Sequence, residues 1–169
     1  MEPLQQDIAR SELENPSLGK PWVLRWARPT DHVKLVKLAK SSPYTTHFSN
    51  RLMFSSDAAY HKGWIRFLYD SADPDNPMAF TCVRHKSRGD KATMLYFLTV
   101  RPDLRSKGLG AVMVNDLKEQ APAKIVELSV AKRNDRALEF YKAHGFQVVG
   151  ESLFDKEGMA HGWHMKWKA

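Results

Sequence analysis

Leu98-Thr99-Val100-Arg101-Pro102-Asp103-Leu104-Arg105-Ser106-Lys107-Gly108-Leu109-Gly110-Ala111 is the stretch that decides the fold. Its left half closes an almost wholly apolar run that begins at Ala92, the pattern of a strand at the centre of a sheet. Pro102-Asp103 ends that strand. To the right, Leu109, Val112, Met113 and Leu117 recur at helical spacing. Strand, tight turn and helix start therefore follow one another directly. A helix start of this kind is an anion site. Its first N–H groups have no intrahelical partner and point outward, and the helix dipole adds positive potential. Glycine removes the Cβ that would hold a phosphate away, and Arg105 and Lys107 bring formal charge to the turn.

Three phosphate-turn patterns compete for these residues. The nucleoside-triphosphate pattern needs Gly-Lys followed by Ser or Thr after a four-residue spacer, and the chain lacks it. The dinucleotide pattern would need its third glycine where Met113 stands. What remains is Arg105-x-x-Gly108-x-Gly110 after an apolar strand. Taken alone, the two glycines could equally serve a tight strand-to-helix turn.

Working outward, Ile125–Val130 reads as the next strand. Asn134 then caps a helix with Ala137, Leu138 and Tyr141 on one face, and Gly145 stands where a left-handed residue ends it. Phe146–Glu151 and Gly162–Trp167 form a closing hairpin around a turn near Glu157-Gly158. On the other side, Met78–Arg84 is a strand joined to Ala92–Val100 through the turn Ser87-Arg88-Gly89-Asp90. Tyr60, Trp64, Phe67 and Leu68 recur at helical spacing, so a helix is expected from Ser55 until Asp73-Pro74-Asp75-Asn76-Pro77 stops it. An earlier helix, capped by Thr30 or Asp31, presents Val33, Leu35, Val36, Leu38 and Ala39 to a core. Trp22–Ala27 is a first strand. Residues 1–20 lack apolar period and read as an extension, partly helical or disordered, with residues 21–169 as one domain.

The bulk numbers fit that picture. With 169 residues, 43% hydrophobic and 27% charged, the chain suits one globular domain. The net charge is +7. Its basic residues are scattered, and they suit either a polyanionic partner such as a phosphorylated cofactor or RNA, or a soluble basic surface. The one cysteine, Cys82, sits in an apolar run and reads as buried and structural. No stretch approaches the length of a membrane span and no signal peptide is legible, so a cytoplasmic protein is the expectation.

A second pattern lies downstream of the turn: Asn134, Ala137, Phe140-Tyr141 and Gly145-Phe146. With both patterns in this order, separated by a helix and a strand, the chain resembles the GNAT superfamily of N-acetyltransferases over about residues 22–167, most specifically over 94–150. The resemblance implies an α/β fold. Its sheet is mixed, mostly antiparallel and twisted, with a V-shaped splay between the central strands and helices on both faces. It implies acetyl-CoA as acetyl donor, no metal, and transfer to a primary amine by direct attack on the thioester.

The resemblance also assigns residues. Backbone amides of Arg105, Ser106, Lys107, Gly108, Leu109, Gly110 and Ala111 would bind the coenzyme A pyrophosphate. Backbone groups of Leu98, Thr99 and Val100 would pair with the pantetheine arm as an added strand. Asn134 would hydrogen-bond that arm, and Tyr141 would face the thioester sulfur. A phenol of pKa about 10 stays protonated at neutral pH and can hand its proton to the departing thiolate. An alkyl ammonium of pKa about 10.4 needs a base before it can attack, and an N-terminal amine of pKa about 8 needs less help. A backbone N–H at the splayed strand would polarise the thioester carbonyl.

The acceptor stays open among a small molecule, a peptide or a protein. Aminoacyl-tRNA, a nucleic-acid acceptor taken by toxin-type relatives, is an alternative, as is a coenzyme A-binding module without turnover. A homodimer is compatible with the family. In two places the chain departs from it. Some relatives carry a catalytic Glu near the start of the central strand, where Met94 stands here. The base is therefore unassigned, with His47, His85, Tyr96, Ser129, His161 and His164 as candidates of types that are commoner as structural or surface residues. The family usually has three strands before the phosphate turn and two are legible, so either a short strand lies near Phe48–Phe54 or the sheet is trimmed. Tyr44, Phe48, Phe54, Tyr60 and Trp64 would then wall an acceptor pocket or fill the core.

Overall fold

The computed structural model describes residues 8–15, 20–41, 64–153 and 161–169; for 8–15, 20, 21, 153 and 161 it fixes the backbone alone. Among the described residues the strands are β1 Ile8–Asn15, β2 Lys20–Trp26, β3 Ile65–Asp70, β4 Ala79–His85, β5 Thr93–Val100, β6 Ile125–Ala131, β7 Gln147–Leu153 and β8 His161–Lys168. The helices are α1 His32–Ala39, α2 Leu109–Gln120 and α3 Asp135–Ala143. Hydrogen-bonded neighbours run in the order β1-β2-β3-β4-β5-β6-β8-β7. β5 and β6 are parallel, and β1–β2, β2–β3, β3–β4, β6–β8 and β7–β8 are antiparallel. This is the mixed, mostly antiparallel α/β sheet expected. None of the described helices is long and apolar enough to cross a membrane.

The chain divides into two compact units, residues 1–82 with 97–113, and residues 83–96 with 114–169. In the first unit, alternation along the strands builds two apolar layers. Ile65, Phe67, Tyr69, Phe80, Cys82 and Phe97 face α1 and bury Leu35, Leu38 and Ala39. Leu24, Leu68, Met78 and Ala79 pack with Leu104, Leu109 and Met113. Cys82 is buried and free, as its apolar context suggests.

The start of α1 is fixed electrostatically. The Arg25 guanidinium donates to both Asp31 carboxylate oxygens at 2.8 and 3.0 Å and to the Tyr69 hydroxyl at 2.9 Å. The Arg28 amide donates to Asp31 Oδ2 at 2.8 Å. Burial by itself would raise the Asp31 carboxyl, but the Arg25 and Arg28 hydrogen bonds and the charges of Arg25 and Lys34 outweigh it and hold the group below its ordinary value. Burial pushes the Tyr69 phenol up to about 12.

The second unit is built on β6, whose Val126, Leu128 and Val130 are buried, and on β8, whose Met165 is fully buried. β6 pairs with β8 along its whole length, from Ile125–Lys168 to Ala131–Gly162. Its parallel ladder with β5 is much shorter, running only from Thr93–Val126 to Leu95–Leu128. Tyr96 on β5 and Ser129–Ala131 on β6 lie beyond its last rung. The ladder thus ends before either strand does.

Two expectations are corrected. Trp64, Phe67 and Leu68 do not lie on a helix. Residues 65–70 form β3, paired with β2 and β4 and buried at five consecutive positions. A strand covered on both faces loses its period of two, and its large apolar residues then fall by chance at helical spacing. β3 is the strand that was missing before the turn. The alternative at Phe48–Phe54 lies outside the described residues, as do Ser55–Tyr60 and the turn near Glu157-Gly158. The stretch before residue 20 holds an edge strand, β1, paired antiparallel with β2.

Arg25→Met leaves the Asp31 carboxylate buried without its main partner and should lower the unfolding free energy at pH 7 by about 3 kcal/mol in urea titrations. Because the folded-state pKa of Asp31 lies below its unfolded value, its contribution is present above about pH 4 and is lost as pH falls through the lowered value. The parent should therefore lose more stability than Arg25→Met between pH 5 and pH 2.5, on the order of 1 kcal/mol. Equal losses in both would show that the pair does not hold α1.

Candidate functional site

In the first unit, the turn after β5 is anchored at both ends and open between them. Leu104 and Leu109 are buried, whereas Arg105, Ser106, Lys107 and Gly108 are exposed. A single 3-10 turn, Pro102–Leu104, leads out of the strand. Ser106 and Gly108 then take left-handed conformations at φ 63° and 83°. Such values are uncommon for residues with a Cβ, which explains why glycine stands at 108. A Cβ built there would meet no atom within 4 Å, so the conformation and not crowding by the protein demands glycine.

The hydrogen bonding follows from that geometry. The Val112 amide donates to Gly108 O at 3.3 Å and opens the helix. Among the described residues, the amides of Lys107, Gly108, Leu109, Gly110 and Ala111 find no acceptor. These are main-chain donors at the positive end of a twelve-residue helix. Next to the turn, Leu98 and Val100 of β5 are half-buried against the Leu104 and Leu109 cluster. Thr99 is buried between them, and among the described residues its Oγ1 has no hydrogen-bond partner.

In the second unit, Asn134 caps α3. Its Oδ1 accepts from the Ala137 amide at 3.2 Å, which commits the oxygen and leaves the side-chain NH2 as a donor. Tyr141, two turns on, is half-buried and stacks edge-on against Phe140 and Phe146 at 5.1 and 5.5 Å between centroids. Burial raises its phenol above the ordinary value. The hydroxyl is therefore a neutral proton donor throughout the physiological range. Gly145, at φ 85°, ends the helix, and the Phe146 amide turns back to Tyr141 O at 3.0 Å. The Lys118 ammonium donates to His144 O at 2.5 Å and lies 4.8 Å from the Trp167 ring centroid. Tyr141 thus sits on a helix whose end is pinned.

The same unit contains a charged hub that sequence reasoning missed. Register places Met94, Glu127 and Lys166 on one rung across β5, β6 and β8. Glu127 is 5% exposed, and its carboxylate meets Lys86 at 2.6 Å, Lys166 at 3.5 Å and His164 Nε2 at 3.5 Å. The carboxylate absent at Met94 is thus present on the adjacent strand. The signal was available: Glu127 is the one charge in the apolar run Ile125–Val130.

Ser129 and His164 pair on the next rung of this face, and Tyr96 follows Met94 by one strand repeat. Three of the candidate bases, Tyr96, Ser129 and His164, therefore share one face. His85 is engaged elsewhere, with Nδ1 2.8 Å from Thr93 Oγ1, and partial burial lowers its pKa. His47, Tyr44, Phe48, Phe54 and Tyr60 lie outside the described residues, as does the side chain of His161. Trp64 packs against the α1 cluster. Among the described residues no His, Cys, Asp and Glu cluster could hold a metal ion.

Residues 29–146 match the Acetyltransferase (GNAT) family. The chain is similar to the 5-NmdU N-acetyltransferase of Pseudomonas phage PaMx11, at 39% identity over 138 residues that span 82% of this chain and 95% of that protein. The acetyltransferase of GNAT family from Streptococcus pneumoniae has a similar fold, with a TM-score of 0.68 at 17% identity, over 86% of this chain and 98% of that one. So does Arabidopsis thaliana Naa50, solved in complex with the bisubstrate analogue CoA-Ac-MVNAL, with a TM-score of 0.64 at 20% identity over 88% and 99% of the two chains.

The hub can be tested without ligand. Glu127→Gln removes the charge that Lys86 and Lys166 share and should cost about 2 kcal/mol in urea unfolding at pH 7. Unchanged stability would mean that solvent serves those lysines equally well.

Proposed function

Given that the chain belongs to the GNAT family of acetyltransferases and is an N-acetyltransferase acting on an amine, we propose how its residues divide the work. Residues 21–169 act as one catalytic domain in the cytoplasm. Acetyl-CoA is the donor, and the amides of residues 107–111 hold its pyrophosphate, whereas the Arg105 amide, expected to join them, is spent on Pro102 O at 3.4 Å. One observation carries this reading. Lys107–Ala111 present main-chain donors without acceptors among the described residues, beside left-handed turns at Ser106 and Gly108 and at a helix N-terminus. Leu98–Val100 take the pantetheine arm along β5, and the free NH2 of Asn134 donates to one of its amide carbonyls.

The transfer is direct. The neutral amine attacks the thioester carbonyl carbon and forms the carbon–nitrogen bond, and the carbon–sulfur bond then breaks. Tyr141 gives its proton to the departing thiolate. A phenol whose pKa is raised by burial does not ionise early, and this supports the acid role. His164, whose Nε2 lies 3.5 Å from the Glu127 carboxylate, takes the proton that the amine loses. The presence of both Tyr141 and the turn counts against a binding module without turnover.

For the acceptor, the phage relative gives the most specific pointer. Its name specifies 5-NmdU, whose abbreviation we read as a modified deoxyuridine, and the likeness runs through most of both chains. A net charge of +7 suits an acceptor that carries phosphates.

Thiol release from acetyl-CoA, measured with 5-NmdU, a lysine peptide and simple alkyl amines, tests the reading. We expect 5-NmdU to be acetylated with the highest kcat/KM. Tyr141→Phe should lower kcat about 100-fold or more while the Kd for acetyl-CoA stays within about twofold. Undiminished turnover would remove Tyr141 from the mechanism, and no thiol release with any amine would remove the function.

A further inference from the structure

The second unit contains an open cavity of about 370 Å3 that no part of the transfer chemistry uses. Its walls are the β4–β5 hairpin, residues 84–88, together with Met94 and Tyr96 of β5. Three of the hairpin residues, Arg84, Lys86 and Arg88, are cations, and no acidic residue lines the cavity. The nearby acids are already balanced: Glu127 by Lys86 and Lys166, and Asp90 by Lys166 at 2.7 Å. Among the described residues, the Arg88 guanidinium has no acidic partner. Arg88 therefore brings to the cavity a positive charge that no acid among the described residues balances.

The other unusual feature is Tyr96. It is 45% exposed, on the face of β5 that also carries Met94, and its ring is among the few large hydrophobic groups left in solvent. A strand in the middle of a sheet rarely leaves an aromatic uncovered without a use. An exposed ring beside arginines is the combination that holds nucleotides, with a base stacking on the ring and phosphates on the guanidinium groups. The volume is within the range of sites that enclose a small ligand. Ser129 and His164, on the same face of this unit, place the cavity beside the proposed base.

We infer that this cavity is a nucleotide-binding subsite that seats a single-stranded nucleic acid carrying the amine. Tyr96 stacks a base next to the modified one, and Arg84, Lys86 and Arg88 bind the flanking phosphates. The inference rests on the proposed reading of the chain as an acetyltransferase for 5-NmdU-like amines, and it adds that the acceptor is taken within a strand. Simple amines and peptides lack both the stacking base and the phosphates.

The experiment is fluorescence anisotropy of the full chain with unmodified single-stranded DNA of about 12 nucleotides, with salt varied. Tyr96→Ala should weaken binding at least about fivefold and leave the salt dependence unchanged. Arg88→Gln should weaken binding and flatten the slope of log K against log salt by about 0.7. Lys37→Gln, the same charge change on exposed α1, should do neither, and melting curves check that each variant is folded. If Tyr96→Ala and Arg88→Gln bind DNA as the parent does, the subsite is wrong. It is equally wrong if an acidic peptide of equal charge competes as well as DNA. Acetylation of the same oligonucleotide carrying one 5-NmdU in place of a thymidine is measured separately, by thiol release from acetyl-CoA. Its failure alongside pocket-dependent DNA binding would overturn the enzyme reading and leave the subsite standing. Its success with unaltered variant binding would do the reverse.

Discussion

A backbone that must present several unpaired amides to solvent in one direction constrains everything around it. At the head of α2, the amides of Lys107–Ala111 find no acceptor among the described residues. Such donors are costly to bury, so the turn has to stay exposed. An exposed turn also has to be rigid, or its donors would scatter. Leu104 and Leu109 supply the rigidity by sinking into the Leu24, Leu68, Met78 and Met113 cluster on either side of the exposed crest. The left-handed residues Ser106 and Gly108 set the direction. The strand before and the helix after are the minimum framework that can hold this arrangement, which is why the local sequence reads so clearly.

The second unit solves a different problem. A carboxylate buried in a sheet has to be paired, and Glu127 is paired by lysines from the β4–β5 hairpin and from β8, with His164 close by. Lys86 and Lys166 can each keep their ammonium near solvent while their stems cover the strand. The result is a fixed set of charges on one face, next to the place where the β5–β6 ladder stops. Tyr141 stands under the opposite kind of control. Its hydroxyl stays neutral because apolar neighbours surround its ring, and no charged group is needed to hold its proton.

What could be read from the sequence was local. The turn, the Asn134 cap and the Gly145 stop each rest on a few adjacent residues and one backbone requirement, and each was found. β3 was misread because Ile65–Tyr69 are buried on both faces, so burial left no alternation to see. β1 was missed for the converse reason: Ile8-Ala9-Arg10-Ser11-Glu12-Leu13-Glu14-Asn15 has too few apolar residues to show a period, and its pairing with β2 is a matter of tertiary context. The Glu127 hub depends on register between three strands, which no spacing within one strand reveals. Met94 itself pairs with Glu127 across β5 and β6, a neighbour that no pattern within β5 shows.

The central claim is that main-chain donors at residues 107–111 grip a diphosphate. The most direct test is calorimetric titration of the parent and of Gly108→Val with coenzyme A and with pantetheine, which shares the arm but lacks the diphosphate and the 3′-phosphoadenosine beyond it. Two charge-assisted hydrogen bonds from the turn should make coenzyme A bind about 100-fold more tightly than pantetheine in the parent. Gly108→Val, which cannot comfortably hold φ 83°, should lose most of that difference. If the parent binds the two ligands equally, or the variant keeps the full preference, the turn is not the diphosphate site.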